Sequence, residues 1–319
     1  MTRPVIALVG TGTMGASHAR IISDSSHADL GLVIDIDAAA AERLGCRHWA
    51  RVSDRLDDAF TCDAAVIASS TAAHVECAVP FLERGIPVFL EKPLAPTLAE
   101  VDTLLELAEK TDTPLMCGFV ERFNAAFRAA EQQIDETPVH LLAIRHSPPA
   151  PRIAASVVGD MLLHDLDVAV RLFGGVEPSV VGACCHRPDG HRFNEIADCT
   201  LQFPSGMASL SANRLAQRKV RLLTVHTHTK SVEVDLLRQD VTVYRNMSQE
   251  MTHGADGLGY RSSTEIDLPF VRHVGEPLAL QFEHFMSFVD GRGDHAAERR
   301  QIRAAHALME AIESPPAKD

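Results

Sequence analysis

Three groups of residues have the types and the spacing that chemistry requires. The first is a glycine-rich turn at 10–15, which has the G-x-G-x-x-G pattern. The second is the triplet Glu91-Lys92-Pro93, whose lysine amine can hydrogen-bond to a hydroxyl group and assist its ionisation. The third is Asp160 with His164, which a helix would place on one face. An aspartate beside a histidine orients the imidazole and raises its basicity, so this pair suits a general base near neutral pH.

Each group also has a purely structural interpretation. Glycines and a strand-end aspartate can simply form turns, and a lysine at the end of a strand is usually just solvated. Asp160 can be the N-cap of a helix, and His164 can be a partly buried packing residue. Taken one at a time, the groups leave both interpretations open.

The context of the glycine-rich turn predicts a dinucleotide site. The turn directly follows an apolar run, Val5–Val9, and opens a helix. Gly10 permits a tight turn, Gly12 lets the backbone approach a pyrophosphate, and Gly15 lets the helix pack closely on the strand. The phosphates would then lie at the positive N-terminus of the helix. The cofactor-binding residues predicted here are Gly10, Gly12, Thr13, Met14 and Gly15.

A carboxylate at the end of the second strand predicts which dinucleotide binds. Asp35 lies 20 residues after Gly15 and would accept hydrogen bonds from the adenosine ribose hydroxyls. Its charge would repel a 2′-phosphate, and no arginine follows it directly. The sequence therefore favours NAD over NADP, with Asp37 as an alternative to Asp35.

The apolar pattern of the first part of the chain predicts an α/β fold. Residues 3–120 alternate short β-branched runs with helical stretches, which is typical of βαβ units on a parallel sheet. The strands predicted there are 5–9, 30–34, 64–68, 87–90 and 114–118. A capping box from Thr97 to Glu100 marks the start of the helix before the last of these strands.

After residue 122 the pattern changes to helices followed by period-two runs, which predict a large, mostly antiparallel sheet. The predicted helices are 124–135, 160–173, 277–289 and 296–313, and the predicted strands are 178–186, 196–203, 207–213, 220–227, 230–237 and 240–246. Residues 247–275 look irregular, and we interpret them as a loop over the site or a subunit contact. We predict two domains, 1–121 and 122–319.

The composition excludes several classes of protein. A net charge of −13 opposes nucleic-acid binding, and no apolar run reaches the about 18 residues that a membrane span needs. The seven cysteines lack C-x-x-C spacing, so we expect small buried thiols in a reducing compartment and a cytoplasmic protein. His226 and His228 share a strand face without a third ligand at a recognisable spacing, so no metal site is predicted.

Together the three groups resemble, in order and spacing, the glucose-fructose oxidoreductase/inositol dehydrogenase (Gfo/Idh/MocA) family. By this resemblance Lys92, Asp160 and His164 match the family's catalytic positions, and the bond from Lys92 to Pro93 is expected to be cis. The resemblance implies a Rossmann domain followed by an α/β domain whose open sheet forms homodimers or homotetramers. It also implies NAD as the cofactor and a sugar as the small-molecule substrate.

Two further segments extend the resemblance. Ser69, Ser70 and His74 resemble a segment near the nicotinamide ribose, and Arg122 belongs to a glycine-to-arginine motif beside the active site. The cofactor-binding residues that the resemblance adds are Ser69, Ser70, His74, Glu91, Lys92 and Arg122. The substrate-binding residues that it implies are Lys92, Arg122, Asn124, Arg152, Asp160 and His164.

The resemblance implies the oxidation of a secondary hydroxyl of a sugar or cyclitol. His164 would take the hydroxyl proton, Lys92 would polarise and position the oxygen, and Asp160 would orient His164 or the substrate. Hydride would pass to nicotinamide C4. Whether Lys92 or His164 is the formal base stays open.

The segments 122–124, 146–152 and 211–214 resemble a subgroup that includes UDP-N-acetylglucosamine 3-dehydrogenases, which make 3-keto sugars for an aminotransferase. Arg152 or Arg214 would then meet the diphosphate. An aminoglycoside or another natural-product amino sugar, which suits an acidic protein better, and an inositol are alternative substrates. Alternatives from a different class are an NAD-binding regulator, which need not keep the catalytic groups, and an NAD-dependent glycosidase, which would form no net NADH.

Overall fold

The computed structural model describes residues 3–150, 155–254 and 257–314. Its contacts divide the chain into two compact units. The first is Met1–Phe123 with Gly275–Glu310, and the second is Asn124–Val274 with Ala311–Asp319. The predicted boundary after residue 121 is therefore close to the observed one, whereas the assignment of 275–310 to the second domain was wrong.

The first unit is built on a parallel sheet of six strands. The strands are β1 (Val5–Val9), β2 (Asp29–Ile34), β3 (Arg51–Ser53), β4 (Ala64–Ile67), β5 (Val88–Leu90) and β6 (Leu115–Cys117), and the first helices are α1 (Thr13–Asp24), α2 (Ala38–His48), α3 (His74–Leu82) and α4 (Leu98–Lys110). The strand order β3-β2-β1-β4-β5-β6 is that of a Rossmann sheet. The five predicted strands are confirmed, and β3 is an addition to them. β4 is buried along its whole length, as expected where helices cover both faces of a parallel sheet.

The strand order decides where the first unit presents its polar residues. β1, β2 and β5 belong to one parallel sheet, so their carboxyl ends lie along the same edge. The residues that directly follow these strands are Gly10, Asp35 and Glu91. Ligands of open parallel sheets bind outside this edge, at the point where the strand order reverses, which here lies between β1 and β4.

The second unit carries an eight-stranded sheet with two helices, α5 (Ala125–Gln133) and α6 (Leu163–Leu172). Its strands are β7 (His140–His146), β8 (Ser179–His186), β9 (Ile196–Phe203), β10 (Gly206–Asn213), β11 (Val220–His226), β12 (Lys230–Asp235), β13 (Asp240–Gly254) and β14 (Gly257–Asp267). The order is β14-β13-β12-β11-β7-β10-β9-β8, and β7 pairs with β10 in parallel. The other pairs that the structure describes are antiparallel, which confirms a mostly antiparallel sheet.

Two parts of the second unit differ from the prediction. β7 lies in a stretch that the sequence analysis left without an element, yet it pairs with both β10 and β11. The segments 247–254 and 257–267, which we expected to be irregular, lengthen β13 and form β14. Backbone pairing requires no alternation of apolar side chains, so these polar strands carry no period-two signal.

Two helices, α7 (Pro277–Val289) and α8 (His295–Glu313), follow β14 and confirm the predicted elements. α7 belongs to the first unit, where Phe282 and Phe285 are buried in the core and Phe285 packs edge-on against Phe89 of β5. An amphipathic pattern shows which face a helix buries but not which sheet covers that face. The domain to which these helices belong could therefore be assigned only from the tertiary structure.

Candidate functional site

The turn after β1 is shaped by close approaches of the backbone. Gly10 has a φ of +98°, and a Cβ atom there would lie 2.6 Å from backbone atoms of Ala68 and Ser69. A Cβ atom on Gly15 would collide with the carbonyl oxygen of Gly10. Both positions therefore exclude a side chain, and the turn after β1 packs tightly against the start of α1.

Gly12, in contrast, faces open space, because a Cβ atom there would have no neighbour within 4 Å. Gly12 is the N-cap of α1, no side chain caps this helix, and its first turn holds no acidic residue. The exposed first residues, Thr13 and Met14, leave backbone N–H groups without an intrahelical acceptor. This open, positively polarised helix end fits the pyrophosphate of NAD, as the sequence predicts.

Asp35 is tied to the same turn. Its Oδ2 accepts hydrogen bonds from the backbone N–H and the hydroxyl of Thr11, at 2.8 and 2.7 Å, and its Oδ1 accepts from the N–H of Asp37. Burial alone would raise the pKa of Asp35, but these hydrogen bonds lower it below its usual value, so the group is a carboxylate at neutral pH. Asp37 instead caps α2 through the N–H of Ala40. Asp35 is thus the acid that suits the ribose hydroxyls.

The segment after β4 connects the glycine turn with the lysine triplet. Ser69 lies against Gly10, and Ser70 is exposed. His74 is 1% exposed, with Nδ1 3.0 Å from the carbonyl oxygen of Pro93 and Nε2 3.3 Å from that of Ser69. Burial lowers the pKa of His74 in spite of these two acceptors. The imidazole therefore lies between two loops of the unit, and its contact with the cofactor stays a prediction.

The triplet with Lys92 directly follows β5. The bond between Lys92 and Pro93 is cis, as predicted. These two residues are partly exposed, whereas Glu91 and Leu94 on either side are buried. The N–H of Leu94 donates a hydrogen bond to Nε2 of His306 in α8, at 2.9 Å. Lys92 is thus partly exposed, whereas Glu91 and Leu94, which flank the Lys92-Pro93 pair, are held by buried contacts.

Two residues predicted to touch the cofactor or the substrate are buried in other roles. Arg122 is 7% exposed, and its guanidinium donates to a carboxylate oxygen of Glu298 at 2.6 Å. Asn124 is 6% exposed, its Oδ1 caps α5, and its Nδ2 donates to the carbonyl of Leu236. These contacts hold the segments that carry the two residues, and their contacts with cofactor or substrate stay predictions.

Asp160 and His164 share the accessible side of a buried helix in the second unit. Asp160 lies in a π-helical turn, Val158–Leu162, and His164 lies in α6, which directly follows it. Every residue of 157–170 is buried except these two, which are half-buried. π-Helical turns within helices occur frequently at functional sites. The predicted helix is confirmed, and it leaves the carboxylate and the imidazole where a ligand can reach them.

Buried ion pairs surround this helix. Arg145 of β7 donates two hydrogen bonds to the carboxylate of Asp165, at 2.9 and 2.8 Å. Arg214, which follows β10, is 2% exposed and donates to Glu195 at 2.7 Å and to Asp160 at 3.4 Å. The guanidinium of Arg214 is thus enclosed and bound to carboxylates of its own unit, an arrangement that does not favour the expected contact with a diphosphate.

Other predicted positions add little to the site. Arg152 lies outside the described residues. Within the described ranges, no group of three or more His, Cys, Asp or Glu side chains could hold a metal ion. His226 is instead close to Ser231 and stacks on His140. None of the helices in these ranges is long and apolar enough to cross a membrane.

The sequence analysis missed three residues that shape the first unit. Thr11 stands inside the glycine motif, so its donation to Asp35 could have been considered. His18 lies three positions after Gly15 on the buried side of α1, where a lone histidine gives no signal by itself. His306 is 212 residues from Leu94, and only the fold brings them together.

Comparisons with known proteins relate both units to one family. Residues 5–119 match the model of the Gfo/Idh/MocA oxidoreductase family with an NAD-binding Rossmann fold. Inositol 2-dehydrogenase of Rhizobium meliloti is 33% identical over 324 residues, which cover 95% of this chain and 94% of that protein. UDP-N-acetylglucosamine 3-dehydrogenase of Acidithiobacillus ferrooxidans is 25% identical over 319 residues, which cover 96% of each chain. A solved structure of the latter enzyme has a TM-score of 0.82 at 24% identity and covers 98% of this chain and 100% of that chain.

The family model covers most of the N-terminal part of the first unit, whereas the match to inositol 2-dehydrogenase runs through both units. The second unit is therefore part of the same ancestry and not an unrelated addition. The Rossmann strand order and the open glycine turn agree with this relationship. The chain belongs to the Gfo/Idh/MocA family of oxidoreductases, and it is an NAD-dependent dehydrogenase that acts on CH–OH groups.

Proposed function

We propose that the protein oxidises a secondary hydroxyl of a sugar or amino sugar, at C3, to a keto sugar. One observation carries the choice of catalytic residues. In the stretch 88–95 only Lys92 and Pro93 are partly exposed, and Lys92 is the ionisable one of the two; Asp160 and His164 are the accessible residues of 157–170. These three residues also match the family's catalytic positions.

We assign the roles of the three side chains as the family resemblance implies. Bound NAD supplies a hydride acceptor at nicotinamide C4. His164 takes the proton of the substrate hydroxyl, and Lys92 donates a hydrogen bond to the same oxygen, which stabilises the developing alkoxide. Asp160 orients the imidazole. Acid–base groups of this kind each contribute about 10²- to 10⁴-fold to the rate.

The relatives and the charge of the chain support an amino sugar. The match to UDP-N-acetylglucosamine 3-dehydrogenase spans 96% of the chain and favours oxidation at C3. A net charge of −13 and the enclosed guanidinium of Arg214 favour an uncharged or cationic sugar over a nucleotide sugar. The 3-keto product would suit a following transamination. The Asp35 carboxylate favours NAD over NADP in this reaction.

Inositol is a second candidate substrate. It is favoured by the 33% identity to inositol 2-dehydrogenase over nearly the whole chain. A ring hydroxyl of a cyclitol presents the same chemistry to the three catalytic side chains, so the choice rests on contacts with the rest of the ring.

The test is NADH absorbance with purified protein, NAD and a panel of UDP-N-acetylglucosamine, glucosamine, an aminoglycoside precursor and myo-inositol. We expect turnover of one amino sugar and its loss in Lys92→Ala and His164→Ala variants that keep NAD binding. Turnover of myo-inositol alone would select the second candidate. NAD binding without net NADH on any substrate would contradict the proposal and favour a regulator or a glycosidase.

We also propose that the protein forms a homodimer or homotetramer through the eight-stranded sheet. Leu142, Met207 and Leu222 are 38%, 39% and 40% exposed, whereas Leu141 and Leu223 on the other face are buried. The registers of β7 with β10 and β11 place the three exposed side chains on one face. Clustered exposed apolar side chains mark interaction surfaces. Light scattering should show an oligomer that Leu222→Glu dissociates; a monomeric wild type would contradict this.

A further inference from the structure

Glu91, which precedes Lys92, is enclosed on three sides. Its Oε1 lies 2.7 Å from Nε2 of His18 in α1, and its Oε2 accepts a hydrogen bond from the backbone N–H of Lys92 at 3.2 Å. The third side is Gly118, just after β6, where a Cβ atom would lie 2.5 Å from Oε2. The missing side chain at Gly118 leaves the space that the Glu91 carboxylate occupies. The position of Glu91 is therefore closely defined.

His18 is equally confined. Its side chain is 1% exposed, and its ring packs edge-on against Phe89 of β5 with 5.0 Å between the ring centroids. Its Nδ1 has no hydrogen-bond partner within the described part of the chain. A proton on Nε2 allows the ring to donate to Glu91 and leaves a lone pair at Nδ1, which costs less than an unpaired buried N–H. The contact is thus a hydrogen bond that His18 donates to the carboxylate.

We propose that His18 is a positioning residue for Lys92. It holds the Glu91 carboxylate, the carboxylate holds the backbone N–H of Lys92, and the two contacts together determine where the lysine amine can reach. The inference rests on the catalytic role of Lys92 in the proposed function. The effect of His18 on the lysine amine itself does not depend on that role.

Stabilisation alone is a poor explanation of this pair. Burying a histidine and a glutamate together costs desolvation that their attraction barely offsets, and apolar side chains of similar volume often serve as well. The contact between His18 and Glu91 instead fixes the positions of the two segments that carry them. Gly12 is the N-cap of α1, where the pyrophosphate of NAD fits, and Glu91 lies next to Lys92. His18 therefore connects α1, the helix at whose N-terminus NAD fits, with the segment that carries Lys92.

The test compares two substitutions, His18→Gln and His18→Asn. The amide of glutamine reaches the position of Nε2 and can donate to Glu91, whereas the amide of asparagine reaches only the position of Nδ1. The first measurement is the rate at which acetic anhydride labels Lys92 in full-length protein without NAD, followed by mass spectrometry. Lys110, exposed at the end of α4, is the internal reference. We expect the relative rate at Lys92 to change about threefold or more in His18→Asn and to return in His18→Gln.

The second measurement is steady-state kinetics with the compound of the substrate panel above that the wild type oxidises. A displaced lysine should lower kcat about tenfold or more in His18→Asn, while the Kd for NAD stays within about twofold, and His18→Gln should restore kcat. A merely structural histidine would lower the Tm of the variants without separating their labelling rates. Measuring kcat together with the Kd for NAD distinguishes a displaced Lys92 from a damaged NAD-binding turn.

The labelling of Lys92 decides the inference. Unchanged labelling of Lys92 in His18→Asn, or equal changes in both variants, would overturn it. If circular dichroism shows that His18→Asn does not fold, Glu91→Ala replaces it, and the same labelling criterion applies. A wild-type protein that oxidises no sugar would contradict the proposed function, and the labelling of Lys92 would then decide the role of His18 alone.

Discussion

Mild acid should destabilise the protein in part through one buried histidine, His306. This residue of α8 is completely buried, its Nε2 accepts a hydrogen bond from the N–H of Leu94 at 2.9 Å, and its Nδ1 donates to the carbonyl of Ile302 at 2.7 Å. Burial lowers the pKa of His306 from 6.5 to about 4. A second proton would have to enter at Nε2, where it would displace the hydrogen bond from Leu94.

The sign and the size of the effect follow from these pKa values. In the unfolded chain the imidazole binds a proton below pH 6.5, but in the fold it does so only near pH 4. The stability that neutral His306 contributes is therefore complete above pH 6.5 and is lost as the pH falls towards 4. One unit between two pKa values corresponds to about 1.4 kcal/mol, so the fall from 6.5 to about 4 gives a whole loss of at most about 3.5 kcal/mol. By about pH 5 the loss is about 2 kcal/mol.

Urea unfolding of the wild type and of His306→Gln at about pH 7.5 and about pH 5, followed by circular dichroism, isolates this contribution. Glutamine keeps an acceptor for the N–H of Leu94 and does not titrate, and all other titrating groups are shared. We expect the free energy of unfolding of the wild type, relative to the variant, to fall by about 2 kcal/mol between the two pH values. An equal pH dependence in both proteins would refute the reasoning.

Three further changes test other parts of the molecule. Gly10→Ala should weaken NAD binding about tenfold or more and destabilise the fold by about 2 kcal/mol, because its Cβ would lie 2.6 Å from the backbone of Ala68; calorimetric titration and urea unfolding measure both effects. Asp35→Asn should raise the use of NADP relative to NAD about tenfold, since no carboxylate repels the 2′-phosphate; an unchanged ratio of kcat/KM values would argue against this role. Arg145→Leu should cost about 3 to 5 kcal/mol by removing the bidentate donor from the buried Asp165, and Arg145→Leu/Asp165→Leu should regain most of it in the same unfolding assay.

The first unit could be predicted well because its signals are local. Val5–Val9, the glycine turn and the capping box from Thr97 to Glu100 each act within a few residues, and the structure confirms all three. The helix with Asp160 and His164 was predicted for the same reason. Its π-helical turn was not, because nothing in the residue types of 158–162 marks a change in the backbone hydrogen bonds.

The predictions failed where an element takes its place from distant partners. β7 lies in the middle of its sheet, paired with strands that follow it by about 70 and 80 positions, and residues 257–267 form a strand through backbone pairing without an apolar pattern. Arg214 and Asn124 were assigned to ligands because their residue types suit polar recognition. Their burial against Glu195 and Leu236 depends on how the second unit folds around them.

The sequence by itself determined the parallel sheet, the glycine turn for a dinucleotide and the side chains that can carry the chemistry. These depend on periodicity, on backbone geometry and on residue types close together in the chain. Only the tertiary structure decided that α7 packs in the first unit, and that His18 and His306 hold the residues on either side of Lys92. Such contacts join residues up to 212 positions apart, and the burial of a polar side chain is set by the elements that cover it, which no local pattern specifies.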